Sequence, residues 1–173
     1  MKPLFALCCL ALLLSCKGDP KQEETAEEVA VTTYYLIRHA EKDRSNPEEK
    51  DPALTEEGHQ RAQRWARHFK DITLDAVYST DYARTTSTAV PTAIDHDLEV
   101  QLYDPNALYD DAFAKATQGK TVLIVGHSNT TPAFANAIMG KQTFKAMSDG
   151  DNASLFKVVI QGKQKEASRT FVN

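Results

Sequence analysis

Tyr34-Tyr35-Leu36-Ile37-Arg38-His39-Ala40-Glu41 is the stretch that decides how this chain folds. Tyr34 to Ile37 are apolar or aromatic and end on a β-branched residue, the composition of a strand buried between layers. Apolar character then stops, and an arginine, a histidine and a glutamate follow within a few residues. In an open α/β sheet, groups just past the carboxyl end of a strand line the ligand crevice. An Arg-His pair there points to an anion site with a nucleophile or base inside it. Taken alone, the pair reads equally well as a charged, solvated turn, and its context has to decide.

The context comes from Thr121-Val122-Leu123-Ile124-Val125-Gly126-His127-Ser128, again a short β-branched run ending at a histidine. Gly126 permits a backbone turn that a residue with a Cβ would resist. Between the two lies Ala76-Val77-Tyr78-Ser79, with Arg84 shortly after it. Three strand-like runs therefore lead into His39, Arg84 and His127, with Arg38 beside the first.

The chain has 173 residues, an apolar fraction of 42% and a formal net charge of -4. That is one domain of ordinary size with a tail. The charge argues against a nucleic-acid partner, which would call for a basic patch. No repeat and no second domain are evident.

Residues 1–15 stand apart from the fold. Lys2 precedes an apolar run from Leu4 to Leu14, too short to span a bilayer and right for the core of a signal peptide. The run closes on Leu13-Leu14-Ser15-Cys16, which resembles a bacterial lipobox. The resemblance implies that Cys16 is acylated and begins the mature protein; the alternative is an ordinary secretory signal. Cys8 and Cys9 would leave with the signal, so no disulfide framework is expected. Residues 16–30 hold Lys17 and Lys21 against Asp19, Glu23, Glu24, Glu27 and Glu28, with almost no large apolar group. Such a segment cannot offset its ordering entropy and reads as a tether. The expected location is the bacterial cell envelope, with a lipid anchor holding the domain on the periplasmic or surface face.

The domain occupies 31–173. After the first strand comes a polar loop, Lys42 to Ala53. Thr55 then reads as an N-cap, with Glu56 and Glu57 in the first turn. The helix runs to Phe69, with Ala62, Trp65, Ala66 and Phe69 facing inward. Its two histidines, His59 and His68, read as surface residues, and His96 as incidental. Leu74 to Tyr78 is the second strand. A helix from Tyr82 to Ile94 follows, capped from Ser79-Thr80-Asp81 and kinked or shortened at Pro91. Leu98 to Leu102 is a third strand. A helix from Asn106 to Thr117, the Thr121–Val125 strand and a helix from Pro132 to Met139 capped by Thr131 come next. Ser154 to Ile160 and Ser168 to Val172 form a terminal hairpin. The alternation predicts an α/β fold: a three-layer α/β/α sandwich whose central sheet is mostly parallel, with an antiparallel C-terminal hairpin.

Two guanidiniums and two imidazoles in one pocket suit a phosphoryl group better than a single carboxylate. A histidine is a sensible nucleophile toward phosphorus, because near neutral pH much of it is already unprotonated. Phosphoryl transfer otherwise needs positioning and charge stabilisation. Zinc held by the two histidines and Glu41 is the metal alternative. Adjacent arginines would repel the cation, so no metal and no cofactor is expected.

Arg38-His39-Ala40-Glu41, Asp51-Pro52-Ala53-Leu54-Thr55-Glu56-Glu57-Gly58, Tyr78 through Ala89 and Val125-Gly126-His127-Ser128-Asn129-Thr130 together resemble the histidine phosphatase superfamily, the phosphoglycerate-mutase-like fold. The similarity spans Val31 to Val172, with the motifs in order. It implies that His39 is the phosphorylated nucleophile and that Arg38, Arg84 and His127 complete the phosphate pocket, with Glu41 and Ser128 joining the substrate-binding set. The absence of a helical cap insertion resembles the short branch that includes phosphohistidine phosphatases. Ala40 stands where mutases commonly carry glycine, and the loop after Glu41 lacks the mutase pattern. The expected activity is a metal-independent phosphatase acting on a small phosphorylated substrate or a phosphoprotein. A mutase is the alternative within enzymes, and a lipid-anchored binder of a phosphorylated ligand the alternative outside them. Expulsion of an alkoxide would require a proton. Asp104, past the third strand, is the expected general acid, and Glu41 is its competitor, unless Glu41 orients Arg38 or Arg84.

Overall fold

The computed structural model describes residues 30–172. The signal segment, Cys16 and the tether to residue 29 lie outside them. Strands and helices alternate as β1 (Val31–Arg38), α1 (Glu56–Phe69), β2 (Ala76–Ser79), α2 (Ala83–Asp95), β3 (Val100–Leu102), α3 (Asp111–Thr117), β4 (Thr121–Gly126), α4 (Thr130–Met139), β5 (Ser154–Gln161) and β6 (Gln164–Phe171). One sheet collects the strands in the order β3-β2-β4-β1-β5-β6. The β3–β2, β2–β4 and β4–β1 pairs are parallel. The β1–β5 and β5–β6 pairs are antiparallel.

Side-chain alternation explains the layers. Tyr34 and Leu36 of β1 join Val122 and Ile124 of β4 in a core with Phe134 and Ile138 of α4 and Phe113 of α3. Ile37, Leu123 and Val125 point the other way, into a core with Trp65 and Phe69 of α1 and Ala89 and Ala93 of α2. Both faces of β1 and β4 are covered, so their sequences read as continuous apolar runs and not as alternating ones. The expected sandwich, parallel centre and antiparallel hairpin are all present.

Several boundaries differ from expectation. The helix α2 passes through Pro91 to Asp95 and is not shortened there. Pro91 deprives the Ser87 carbonyl of its helical donor, and Ser87 is only half-buried. The cap of α2 is also remote: the Asp51 carboxylate accepts from Ala83 N at 2.9 and 3.1 Å, where Ser79-Thr80-Asp81 had been expected to supply it. The helix α3 starts at Asp111, because Asp110 caps it by accepting from Phe113 N at 2.7 Å. The helix α4 starts at Thr130, and Thr131 donates to the Ile37 carbonyl at 3.2 Å where a cap had been expected.

The start of α1 is pinned to the loop after β1. Thr55 accepts from Gly58 N at 3.1 Å and donates to the Glu41 carbonyl at 3.2 Å. That carbonyl lies directly against Gly58, inside the space a Cβ there would need, and such a Cβ would also stand 3.1 Å from that of Leu54. Gly58→Ala must therefore displace backbone, at a cost of about 1–3 kcal/mol. Urea unfolding should show a lower midpoint at unchanged slope; an unchanged midpoint would mean that the Glu41 loop yields freely.

Candidate active site

The register of the parallel strands builds the site. Arg38 pairs with Gly126, and Ser79 with Val125. The residues that follow, His39, His127 and Thr80, therefore emerge at one edge of the sheet. The two imidazole centroids are 5.5 Å apart. The chain leaves β1 through α1 on one face and β4 through α4 on the other, so a crevice opens between their carboxyl ends. Gly126 serves this edge by being small: a Cβ there would stand 2.8 Å from the Tyr103 hydroxyl and 3.0 Å from those of Thr130 and Thr131.

His39 is buried and held through its backbone and its ring. Its N–H donates to the Gly126 carbonyl at 2.9 Å, and its carbonyl accepts from Asn152 Nδ2 at 2.7 Å. The next residue, Ala40, donates to Thr88 Oγ1 at 2.9 Å, and Thr88 donates to the Arg84 carbonyl at 2.7 Å. The ring nitrogen Nδ1 is 2.7 Å from the Ala40 carbonyl. A carbonyl only accepts, so this contact assigns the proton to Nδ1 and the lone pair to Nε2. Burial, with Arg38, His127 and Arg84 adding repulsion, lowers the His39 pKa to about 3.

His127 is neutral for similar reasons. Burial first, then Arg84 and Arg38, lower its pKa to about 4. Its Nε2 is 3.0 Å from Thr80 Oγ1, and Thr80 donates to Thr85 Oγ1 at 3.0 Å. That relay leaves Thr80 as the acceptor for the imidazole N–H. The Tyr82 ring meets His127 edge-on at 5.0 Å.

The guanidiniums are only partly satisfied. Arg38 is 2% exposed. Its Nη1 donates to the carbonyls of Ser148, Asp149 and Asp151 at 3.1, 2.7 and 3.3 Å, and its Nη2 to Asp149 Oδ1 at 3.0 Å. Arg84 lies over the Tyr82 ring at 4.4 Å, and its Nη1 donates to Asp51 Oδ1 at 3.1 Å. In both arginines Nε is buried with no acceptor among the described residues. Arg38, His39, Arg84, His127 and Ser128 line one polar cleft of about 430 Å³, together with Lys42, Tyr82 and Asp149.

Two expected residues lie elsewhere. Asp104 is exposed and outside the cleft, although Pro105 and Asn106 border it. Its Oδ1 accepts from Asn106 N at 2.8 Å and Asn106 Nδ2 at 3.0 Å, which closes the turn after β3. Glu41 accepts from Arg61 Nε of α1 at 2.6 Å and lines an adjoining cleft that His39 also borders, with its Oε2 unpartnered among the described residues. It pairs with neither Arg38 nor Arg84, whose carboxylate partners are Asp149 and Asp51. Sequence reasoning missed Asp149, Asn152 and Arg61. Asp51 stood in a quoted motif, but nothing tied it to Arg84. The polar run Ser148-Asp149-Gly150-Asp151-Asn152, set between the buried Met147 and Ser154, was the signal for the first two. Among the described residues, no three of His, Cys, Asp and Glu are grouped to hold a metal ion, and no helix is long and apolar enough to cross a membrane.

Among curated proteins none matches the chain. Solved structures share its fold. A phosphoserine phosphatase mutant of Entamoeba histolytica in complex with phosphoserine is 17% identical, with a TM-score of 0.62 over 82% of this chain and 97% of that one. The phosphoglycerate mutase of Bacillus anthracis is 17% identical, with a TM-score of 0.61 over 83% and 94%. A protein of Agrobacterium tumefaciens assigned as the phosphohistidine phosphatase SixA is 19% identical, with a TM-score of 0.57 over 80% and 97%. Residues 34–105, from β1 to the turn after β3, match the family model of the histidine phosphatase superfamily (branch 1), and over that span the chain carries the superfamily's sequence pattern.

Proposed function

We propose that this chain is a metal-independent histidine phosphatase that works through a phosphohistidine intermediate. The observation that carries the reading is the pair of buried, unmatched Nε donors of Arg38 and Arg84 beside two neutral imidazoles. Buried donors without acceptors are costly. A phosphoryl group, with several charged oxygens, supplies what they lack.

In this mechanism the lone pair on His39 Nε2 attacks phosphorus and the bond to the leaving group breaks. Charge on the equatorial oxygens is stabilised by donors already in place. Water then attacks phosphorus, the P–N bond breaks, orthophosphate departs and His39 returns to its neutral form. A mutase would share the first step and deliver the phosphoryl group back to product.

The first step raises the question of the leaving group's proton. Hydrogen bonds from Arg44 and Arg38 lower the Asp149 pKa to about 2, so this carboxylate is ionised at neutral pH. His127 is neutral and hydrogen-bonded to Thr80. Asp104 closes its own turn, and Glu41 is paired through Oε1 with Arg61, its Oε2 lying buried without a partner among the described residues in the adjoining cleft that His39 also lines. The arrangement favours leaving groups that depart without help: phosphoramidates protonated on nitrogen, or phosphates of stable oxyanions.

The substrate class is therefore a phosphoramidate or an activated phosphomonoester, on a small molecule or a phosphoprotein. Localisation follows from the sequence: acylation of Cys16 would tether the domain to a membrane of the cell envelope.

His39→Asn should abolish turnover and the trapping of acid-labile protein-bound phosphate, while chelators leave the wild type unaffected; loss in EDTA restored by zinc would overturn the reading. Protonation of Nε2 stops attack, and kcat/KM reports the free enzyme. With the His39 pKa lowered to about 3, activity corrected for substrate ionisation should persist below pH 6.5, the ordinary histidine value. An acid limb centred at that ordinary value would contradict the buried, neutral ring.

Wild type should hydrolyse p-nitrophenyl phosphate far faster than an alkyl phosphate, and Asp104→Asn should cause no selective loss on the alkyl ester. A selective loss would restore Asp104 as the acid. For the anchor, Cys16→Ser should move the protein from the membrane to the soluble fraction, and mass spectrometry of the wild type should find an acylated N-terminal cysteine. A free thiol on a soluble wild-type protein would refute acylation.

A further inference from the structure

We propose that Asp149 is a specificity-determining residue: its carboxylate occupies the binding edge of Arg38 in the free protein and lowers the affinity of the cleft for bare orthophosphate. The inference rests on the phosphoryl-site reading above and adds a residue to it. Arginine grips an oxyanion best through two parallel donors on one edge of the fork. Arg38 Nη1 is committed to three backbone carbonyls, so the available edge is Nε with Nη2. Nε has no acceptor among the described residues, while Nη2 donates to Asp149 Oδ1 at 3.0 Å. One half of the fork is thus filled by an anion of the protein itself.

The placement of Asp149 suits a displaceable competitor. Its side chain is 71% exposed, against 2% for Arg38, so the carboxylate can leave while the guanidinium stays. A second partner waits outside: Arg44 Nη1 is 2.8 Å from Asp149 Oδ2 and is itself 53% exposed. The backbone of the loop is held separately. The Asp149 carbonyl bonds Arg38 at 2.7 Å, Asp151 caps Ser154 N at 3.1 Å, and Asn152 bonds the His39 carbonyl. Release of the carboxylate therefore leaves Arg38 and His39 in position.

The consequence is selective. Any phosphate entering the cleft either displaces the carboxylate from Nη2 or binds beside a like charge. A substrate meets that cost with contacts to the rest of the molecule; orthophosphate has none to offer. Repulsion between charges a few ångströms apart at a protein surface corresponds to about a tenfold change in affinity or more. Asp149 thus holds product affinity down and lets the cleft clear after each cycle.

The test is calorimetric titration of the full chain with sodium phosphate. Asp149→Asn and Asp149→Ser, which remove the charge and keep the backbone, should both bind phosphate about tenfold more tightly than wild type. Asp149→Glu should stay near wild type. Product inhibition during turnover should move to correspondingly lower phosphate in the first two. Unchanged or weaker binding in both neutral variants would overturn the inference, since a residue that merely orients Arg38 weakens binding when lost. Arg84→Ala separates the two ideas. If it abolishes phosphate binding while the Asp149 variants change nothing, the phosphoryl site stands and the Asp149 inference fails. If neither the wild type nor the neutral Asp149 variants bind phosphate, both fail.

Discussion

Everything at this site depends on the hydrogen-bonded register between β1 and β4. Those two strands are distant in sequence, and Arg38 lies opposite Gly126 only because Tyr34, Leu36, Val122 and Ile124 share one face and Ile37, Leu123 and Val125 the other. A slip of one residue would turn each strand's core set to the wrong face. Burial on both faces therefore fixes the register, and the register fixes the height at which His39 and His127 leave the sheet. The separation of the imidazoles is a consequence of core packing two to five residues below them.

The site's second constraint is electrostatic. Two guanidiniums and two imidazoles in one cleft would repel strongly if all were charged. The chain limits this in two ways. Burial keeps both imidazoles neutral at physiological pH, with pKa values lowered to about 3 and 4. Each guanidinium is anchored through Nη1, Arg38 by carbonyls and Arg84 by Asp51, which leaves Nε without an acceptor among the described residues. Positive charge is thus present, fixed and incompletely satisfied, the condition in which donors stabilise a phosphoryl transition state without reorganising.

Much of this was legible in the sequence, for identifiable reasons. Strand-then-histidine patterns are local, so His39, His127, Arg38 and Arg84 could be named from composition and order. Thr55 as cap and the inward face Ala62, Trp65, Ala66 and Phe69 are also local, and all are where periodicity put them. What was not legible was long-range pairing. Asp51 caps α2 from the far side of the chain, and Asp149 meets Arg38 across 111 residues. The placement of Asp104 was not legible either, because a residue after a strand can face the crevice or close a turn, and here Asn106 donates to its carboxylate. The helix α2 runs on past Pro91, since a helix covered by β2 and α1 tolerates one lost hydrogen bond that an isolated helix would not.

The antiparallel edge of the sheet now acquires a reason. A strand parallel to β1 would arrive at the edge that carries the cleft with its carboxyl end, as β4 and β2 do. The strand β5 runs the other way, pairing Leu155 with Ile37, so the segment that precedes it passes directly beside Arg38 and His39. That segment carries Asp149, Asp151 and Asn152. Asp151 is tied back to Ser154 and to Arg169 of β6, so the hairpin holds the loop from behind. Parallel strands deliver the groups that would react, whereas the antiparallel strand delivers the groups that hold them. The hairpin at the C-terminus is therefore a support for the edge that carries the cleft as much as a cover for β1. A change in its pairing would reach Arg38 through Asp151 and His39 through Asn152, without touching either motif by which the site announces itself in the sequence.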